Sequence, residues 1–420
     1  MKRKAVHQLI NWKSHSTQHP LCISGPKGIG KTYLVLDFAK SFFEGNLYIN
    51  FETNAKLCYF FEQHRTEDFL KNLKSYYQLP ELLSDVVYLI DELWACPCAY
   101  HSFLEFLRTN PSISIILITS KEGIFSGIEY EFIEKLQLFP LDFEEFLIAN
   151  GAEWYTEIIR GHCITGKKIP EIVHRELLKL FEDYLEVGGM PAAVKEYLNF
   201  ESTENVMEIH RILYQSMCSQ IKKMYPEQEA FKMNQILDIL VEQLLKENPK
   251  FQYRLIRKGA TRMFYETAMN HLEENRIIYS CKKIKEKEKI DLTSKQLYYM
   301  DTGIFYTMLF SNSDNCHITE NIKKKAVLKN FVAQTLAKNL IPFYYWESDG
   351  KARIHFIVKK EEEFFPIELY TQEHTYSKST SVFRQHFLVP FSISLSKKNF
   401  EISNNIKQYP YYSLSYLLER

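Results

Sequence analysis

At 420 residues the chain is too long for one ordinary core and calls for two to four domains. Its 45% hydrophobic and 25% charged residues are a globular composition, with a high aromatic share of 15%. Lysine plus arginine (52) equals aspartate plus glutamate (52), which removes bulk charge as an argument for nucleic acid or membrane and leaves only local patches open.

Lys4 to Ser16 reads as a short amphipathic helix, with no apolar signal core beside its basic residues. Leu21-Cys22-Ile23-Ser24 is a buried strand. It runs into Gly25-Pro26-Lys27-Gly28-Ile29-Gly30-Lys31-Thr32, which fits the phosphate-binding loop of glycine, four residues, then Gly-Lys-Ser/Thr. From Tyr33 to Lys40 the apolar residues are spaced for one helix face. Glycines let successive amides point at phosphate oxygens, and the helix N-terminus adds partial positive charge. Lys31 is placed for the β- and γ-phosphates and Thr32 for Mg²⁺. The stretch from Gly25 to Tyr33 is therefore expected to hold a nucleotide.

Leu47 to Glu52 is a second strand, and Tyr59 to Tyr77 reads as a charged helix. Val86-Val87-Tyr88-Leu89-Ile90-Asp91-Glu92 has the form of the second nucleotide motif, Walker B. Asp91 would hold the Mg²⁺ shell, and Glu92 would polarise an attacking water. A helix at Ser102–Arg108 precedes a strand at Ile113–Ser120, where Thr119 or Ser120 would sense the γ-phosphate. A strand at Leu136–Leu141 is closed by Pro140. This alternation predicts a parallel sheet with helices on both faces and nucleotide at the carboxyl ends of the strands.

From Asp142 the chain turns helical to about Met224, broken at Gly188-Gly189-Met190-Pro191. Helices at Phe231–Leu245 and Thr261–Asn275 precede strands at Ile277–Ser280 and Gln296–Met300. A lysine-rich turn, Lys282 to Lys289, joins them in winged-helix order; such a tip is either solvated or phosphate-facing. A helix at Ala326–Asn339 and strands at Phe343–Trp346, Arg353–Val358 and Phe364–Tyr370 suggest a small α/β unit. The expected domains are 1–148 (ATPase), 149–225 (helical linker), 226–312 (winged helix) and 313–420. The eight cysteines are scattered, and Cys96-Pro97-Cys98, the one close pair, lacks the histidines or second pair that a zinc site needs. Reduced thiols, and no run approaching membrane-spanning length, imply a cytoplasmic protein without a membrane partner.

Taken together, the pieces resemble a large prokaryotic family of AAA-like P-loop ATPases. Its members join an ATPase module to a C-terminal region of unassigned function ending in a restriction-endonuclease-like fold. The resemblance rests on the two nucleotide motifs, on Tyr48-Ile49-Asn50-Phe51-Glu52, and on Phe139-Pro140-Leu141-Asp142-Phe143-Glu144-Glu145-Phe146. It continues through Tyr184-Leu185-Glu186-Val187-Gly188-Gly189-Met190-Pro191, Leu297-Tyr298-Tyr299-Met300-Asp301-Thr302-Gly303-Ile304 and Asn330-Phe331-Val332-Ala333-Gln334. Family members carry a finger-like arginine just before the strand leading to the Pro-Leu-Asp motif; here the position falls on Lys135, which lacks the planar two-pronged contact. Where an active nuclease of this fold has carboxylates and a lysine, this chain has Lys329, His355 and Glu368-Leu369-Tyr370, a poor Mg²⁺ site. The resemblance implies a slow ATPase using ATP and Mg²⁺, with ADP as product and an inactive nuclease-like domain. By analogy it also implies a homo-oligomer. A nucleotide-gated binder of DNA or protein is the alternative. GTP is disfavoured because no Asn/Thr-Lys-x-Asp segment is present.

Overall fold

Five short strands of mostly branched apolar residues build the first sheet. In this computed structural model they are β1 (Leu21–Ser24), β2 (Gly45–Asn50), β3 (Val86–Asp91), β4 (Ser114–Thr119) and β5 (Glu134–Gln137). Their order is β2-β3-β4-β1-β5, and every pairing is parallel. The structure describes residues 1–15, 19–59, 75, 85–110, 113–125, 127, 130–200, 202–246, 250–285, 289–311, 317–348, 352–371, 378–403 and 405–417. The helix expected at Tyr59–Tyr77 lies outside these residues, apart from positions 59 and 75.

Parallel strands are covered on both faces because their crossovers are helical. Helices α1 (Ala5–Ser14), α2 (Lys31–Phe42) and α3 (Ala99–Thr109) supply that cover. Alternation along each strand sorts the core. Cys22, Ile49, Ile90 and Leu117 face Phe103, Phe106 and Leu107 of α3 in one cluster. The intervening Ile23, Leu89 and Ile116 are also fully buried, and α2 packs on β2, β3 and β4.

The chain divides into two compact units: residues 1–139 with 219–226, and residues 140–218 with 227–420. The second unit opens with helices α4 (Phe143–Ala149), α5 (Trp154–Thr165), α6 (Glu171–Val187), α7 (Pro191–Phe200) and α8 (Thr203–Met224). From Ser219 onward, α8 belongs to the first unit. Next come α9 (Glu227–Leu245) and α10 (Arg262–Glu274), the hairpin β6 (Ile278–Ile284) and β7 (Ile290–Tyr299), then α11 (Thr302–Ser311) and α12 (Glu320–Lys338). The strands β8 (Phe343–Glu347), β9 (Arg353–Lys360) and β10 (Glu363–Leu369) follow, then α13 (Lys378–Phe383). The unit ends with β11 (Ser392–Ser396), β12 (Glu401–Ile402), β13 (Ile406–Pro410) and α14 (Leu414–Leu417). The hairpin and these strands share one eight-stranded sheet, β12-β13-β11-β10-β9-β8-β6-β7.

Two expected boundaries move. The strand read at Leu136–Leu141 is β5, two residues earlier, and Lys135 lies inside it, paired with Cys22 and exposed on the sheet edge. Leu138 N still donates to Ser24 O at 2.8 Å, after which Pro140, lacking an N–H, cannot continue a ladder. The hairpin strands are also longer than expected. Lys282 and Lys283 sit within β6 at a bulge, where they pair with β8. Glu347 meets Lys283 at 3.6 Å and Asp291 meets Lys285 at 2.9 Å, so charge does not end the strand there.

Four of the segments that carried the family resemblance converge inside the second unit. Leu141 N donates to Gly189 O at 2.7 Å, and Tyr184 Oη donates to Leu141 O at 2.8 Å. Gly189 N and Ile304 N donate to the two oxygens of the buried Asp301 carboxylate. Gln334 accepts from Thr302 N, and Asn330 from Tyr299 N, each at 2.8 Å. Asp142 and Glu145 form a capping box on α4 and both pair with Lys338. Interior polar groups must be paired, and these motifs pair one another. His210 of α8 is buried in the same unit, with Nδ1 2.7 Å from Thr307 Oγ1 and Nε2 3.1 Å from Val187 O.

Candidate functional site

The loop after β1 is held open by three glycines with positive φ, Gly25 (145°), Gly28 (86°) and Gly30 (89°). A Cβ on Gly25 would lie 2.4 Å from Leu138 O, so this position has neither the conformational nor the spatial room for a side chain. Gly25 N donates to Thr119 O at 3.2 Å, joining the loop to the end of β4. Ile29 is fully buried beneath the loop, Lys27 is half-buried at its rim, and Tyr33 is exposed on the first turn of α2. Arg3, which the sequence reading missed, donates to Ile29 O at 3.0 Å and to Phe139 O at 2.6 Å. It ties the loop to the exit of β5, and nothing in its local pattern announces that role.

Lys31 begins α2 and is buried. Its Nζ donates to Gly25 O at 2.7 Å, Pro26 O at 3.0 Å and Ser120 Oγ at 3.0 Å. Burial pushes its ammonium below the usual lysine range, while Glu92 and Asp91 oppose that shift. Thr32 Oγ1 donates to Asp91 Oδ2 at 2.8 Å, bringing the two expected metal ligands together from α2 and β3. Tyr48 Oη donates to the same oxygen at 2.7 Å and receives Asn50 Nδ2 at 3.0 Å. Tyr48 could have been found from its place at the end of β2, two residues before Asn50. The other carboxylate oxygen, Asp91 Oδ1, is buried with no hydrogen-bond partner among the described residues. Burial, and the neighbouring Glu92 charge, raise the Asp91 pKa. A buried carboxylate oxygen left open beside a hydroxyl fits a hard cation that takes one or two carboxylates and keeps its remaining positions for phosphate and water.

Glu92 is buried and left-handed, at φ 52°, directly after β3. A non-glycine residue held there stores strain of order 1–3 kcal/mol, which persists only where its surroundings fix it. Three donors do so: Trp94 Nε1 and Ser120 N to Oε2, and Ser120 Oγ to Oε1. Of the two candidate hydroxyls at the end of β4, Ser120's therefore meets Lys31 and Glu92. Thr119's instead receives Lys121 N and donates to Lys121 O, both at 3.0 Å.

The residues of α8 that belong to this unit connect to the same edge of the site. Glu52, just past β2, meets Lys27 of the loop at 3.6 Å and Lys223 at 2.9 Å. Lys121 Nζ donates to Met224 O at 3.1 Å and lies 4.9 Å from the Tyr225 ring centroid.

In the second unit Glu368 is occupied by Thr380 Oγ1 and Tyr370 Oη. Lys329 is buried, and His355 lies near it on β9. Among the described residues no group of three or more His, Cys, Asp or Glu is arranged to hold a metal, and no helix is long and apolar enough to cross a membrane.

Residues 17–147 match the family model of the AAA domain, and residues 178–315 match a domain of unknown function, DUF8612. No curated protein matches the chain. Among solved structures, the Walker-type ATPase PABY2304 of Pyrococcus abyssi is similar at 13% identity and TM-score 0.46, over 73% of this chain and 95% of that one. The replication initiator DnaA, bound to AMPPCP and single-stranded DNA, is 16% identical with TM-score 0.30, covering 65% and 87%. The Aeropyrum pernix ORC1 protein in complex with DNA is 11% identical with TM-score 0.33, covering 73% and 90%. Residues 17–147 thus carry an AAA-type P-loop domain, with a loop of this geometry between β1 and α2.

Proposed function

We propose that the chain binds ATP with Mg²⁺ and hydrolyses it slowly, and that nucleotide state is coupled to rearrangement of C-terminal interaction domains. The observation that carries this reading is the contact of Thr32 with Asp91 beside the open, buried Asp91 Oδ1. Thr32 and Asp91 would hold Mg²⁺, which would supply positive charge against the phosphoryl oxygens. Amides from Gly25 to Thr32 would line the phosphates, with Tyr33 at the nucleotide's edge, and Lys31 would exchange its loop carbonyls for phosphate oxygens. Glu92 would orient the attacking water, and Ser120, with Thr119 behind it, would register the γ-phosphate.

Slow turnover follows from Glu92, whose oxygens already accept three hydrogen bonds, and from Lys135 standing where an arginine finger is expected. Coupling is supported by α8. Its last turn pairs with Glu52, which also meets the loop residue Lys27, while its residues before Ser219 belong to the second unit. In that unit we read a helical linker at 149–225, a winged-helix-like region at 226–312 and a nuclease-like domain at 313–420. Its nuclease chemistry is lost, because Lys329 and His355 replace carboxylates. The partner would be DNA or protein, the protein cytoplasmic, and the ATPase site shared in a homo-oligomer.

The closed state of Glu92 also favours a second reading, a nucleotide-gated binder with little turnover. ATP hydrolysis with Mg²⁺, measured with and without duplex DNA beside Glu92→Gln, separates the two. Turnover lost in the variant supports the ATPase. Tight ATP binding without turnover in either protein leaves the gated binder.

A further inference from the structure

The second unit brings a group of cations together from α12 and β9. Lys325 and Lys329 are four residues apart on α12 and so lie on one helix face. Arg353 and His355 are two apart on β9 and so project to one side of the sheet. The two pairs meet: Lys325 and Arg353 both act electrostatically on Lys329, and all three act on His355. Lys325 is exposed at the mouth, whereas Lys329 is 5% exposed. Among the described residues neither lysine forms an ion pair, and no protein group accepts from Lys329 Nζ. His355 Nδ1 is buried with no hydrogen-bond partner among the described residues. Glu347 lies 3.5 Å from Arg353 Nε and 3.6 Å from Lys283 Nζ. Glu368, one step beyond the last paired residues of β9 and β10, is turned to Thr380 and Tyr370.

Buried charges are ordinarily paired, and a buried ring nitrogen is ordinarily hydrogen-bonded. Here desolvation and the neighbouring cations drive the Lys329 ammonium down to about 7 and His355 well below its usual value, so the cluster relieves its repulsion by losing protons. An anion would remove the same repulsion by supplying acceptors. It would need several oxygens to meet an ammonium, a guanidinium and an imidazole together, which a phosphoryl group offers and a halide does not.

We propose that Lys325, Lys329, Arg353 and His355 form a receptor for a phosphoryl oxyanion, presented as a free phosphate group or as the phosphodiester of a nucleic-acid strand. The site lies in the second unit, uses none of the ATPase residues and stands whether or not ATP is hydrolysed.

The test uses the full chain carrying Lys31→Ala, so that the P-loop does not report. Titration calorimetry and thermal shift would be run with inorganic phosphate and, separately, with an eight-residue oligothymidylate, and repeated after adding Lys329→Met. We expect saturable binding of at least one probe and a raised melting temperature. Affinity should fall at least tenfold in Lys329→Met, the scale of one lost charged hydrogen bond. Lys329→Met removes a buried cation, so it should fold at least as well as its parent without ligand, and its unliganded melting temperature checks this. If it unfolds, Lys325→Met at the exposed mouth replaces it, with a loss of about threefold or more expected. Phosphate bound without oligonucleotide assigns a free phosphate group; oligonucleotide bound more tightly than phosphate assigns a phosphodiester. Binding of neither probe at 10-fold molar excess over a millimolar concentration, on the order of the weakest useful affinity, or binding unchanged by the folded lysine variant, overturns the proposal.

Discussion

Gly189 donates its backbone N–H to Asp301 Oδ2 at 2.7 Å across 112 residues of sequence. The same carboxylate accepts from Ile304 N at 3.0 Å, and Gly189 O receives Leu141 N, so Gly189 ties its own segment to those of Asp301 and Leu141. Asp301→Ala would strand two buried amides at about 1–3 kcal/mol each. We expect a loss of about 3 kcal/mol in the unfolding free energy of the second unit, read from denaturant midpoints. Gly189→Ala should cost at least as much, because its Cβ would lie 2.0 Å from Leu141 O, a backbone atom that cannot swing away.

Asp301 and His210 make opposite contributions to stability against pH. Burial raises Asp301 from 3.8 to about 6, so the folded state keeps a proton that the unfolded chain has lost; its contribution is full below pH 3.8 and fades as pH rises through 6. Burial lowers His210 from 6.5 to about 4, so its contribution is full above pH 6.5 and fades as pH falls through 4. Each is worth about 3 kcal/mol across its window. Relative to the parent chain, His210→Gln should become less stable as pH rises from 4 to 6.5, and Asp301→Asn more stable. Urea denaturation at both ends of the window measures each slope.

Trp94 holds Glu92 Oε2, and that bond must open before the oxygen can accept from water. Trp94→Phe keeps the ring and removes the donor. Steady-state ATP turnover should rise about tenfold or more, the scale of one hydrogen bond to a charged group of about 1.5–3 kcal/mol. A fall in turnover, with ATP affinity unchanged, would instead make Trp94 a support for the active geometry.

Gly25→Ala places a Cβ against Leu138 O in a backbone region closed to alanine. The loop must move to admit it. Fluorescent-nucleotide titration should show affinity lower by about 100-fold, or about 2.7 kcal/mol, with the melting temperature of the second unit unchanged.

Glu52→Gln leaves shape but removes the charge between Lys27 and Lys223. Lys27 is then free to face phosphate, and ATP affinity should rise by about three- to tenfold at low salt, less at high salt. Titrations at two ionic strengths separate this from a structural effect.

The phosphate loop and β3 were legible because their chemistry is local. Glycines, a lysine and paired acids sit at fixed offsets, and apolar runs mark the strands beside them. Trp94 was not, since an aromatic residue near a strand end reads as core until its indole finds an acid. Arg3 was invisible for the same reason: its partners, Ile29 O and Phe139 O, are backbone atoms 26 and 136 residues away. In the second unit, the glycines and amides of the motif series form a visible pattern in the sequence, but their partners lie on distant segments, as Gly189 N and Asp301 do. The lysines of β6 misled, because charge on a strand reads as a turn unless its cross-strand partner is known.

Residues 219–226 complete the first unit from 80 residues beyond its last contiguous residue, Phe139. A ribosome adding about 5–20 residues per second needs several seconds to make that stretch. During this interval Lys121 lacks Met224 O and Glu52 lacks Lys223, so the ATPase module leaves the ribosome unfinished and is closed only by a segment emerging after Cys218. A fragment ending at Ala149 would stay in that state, and nucleotide added during translation would meet a site whose rim has not yet formed.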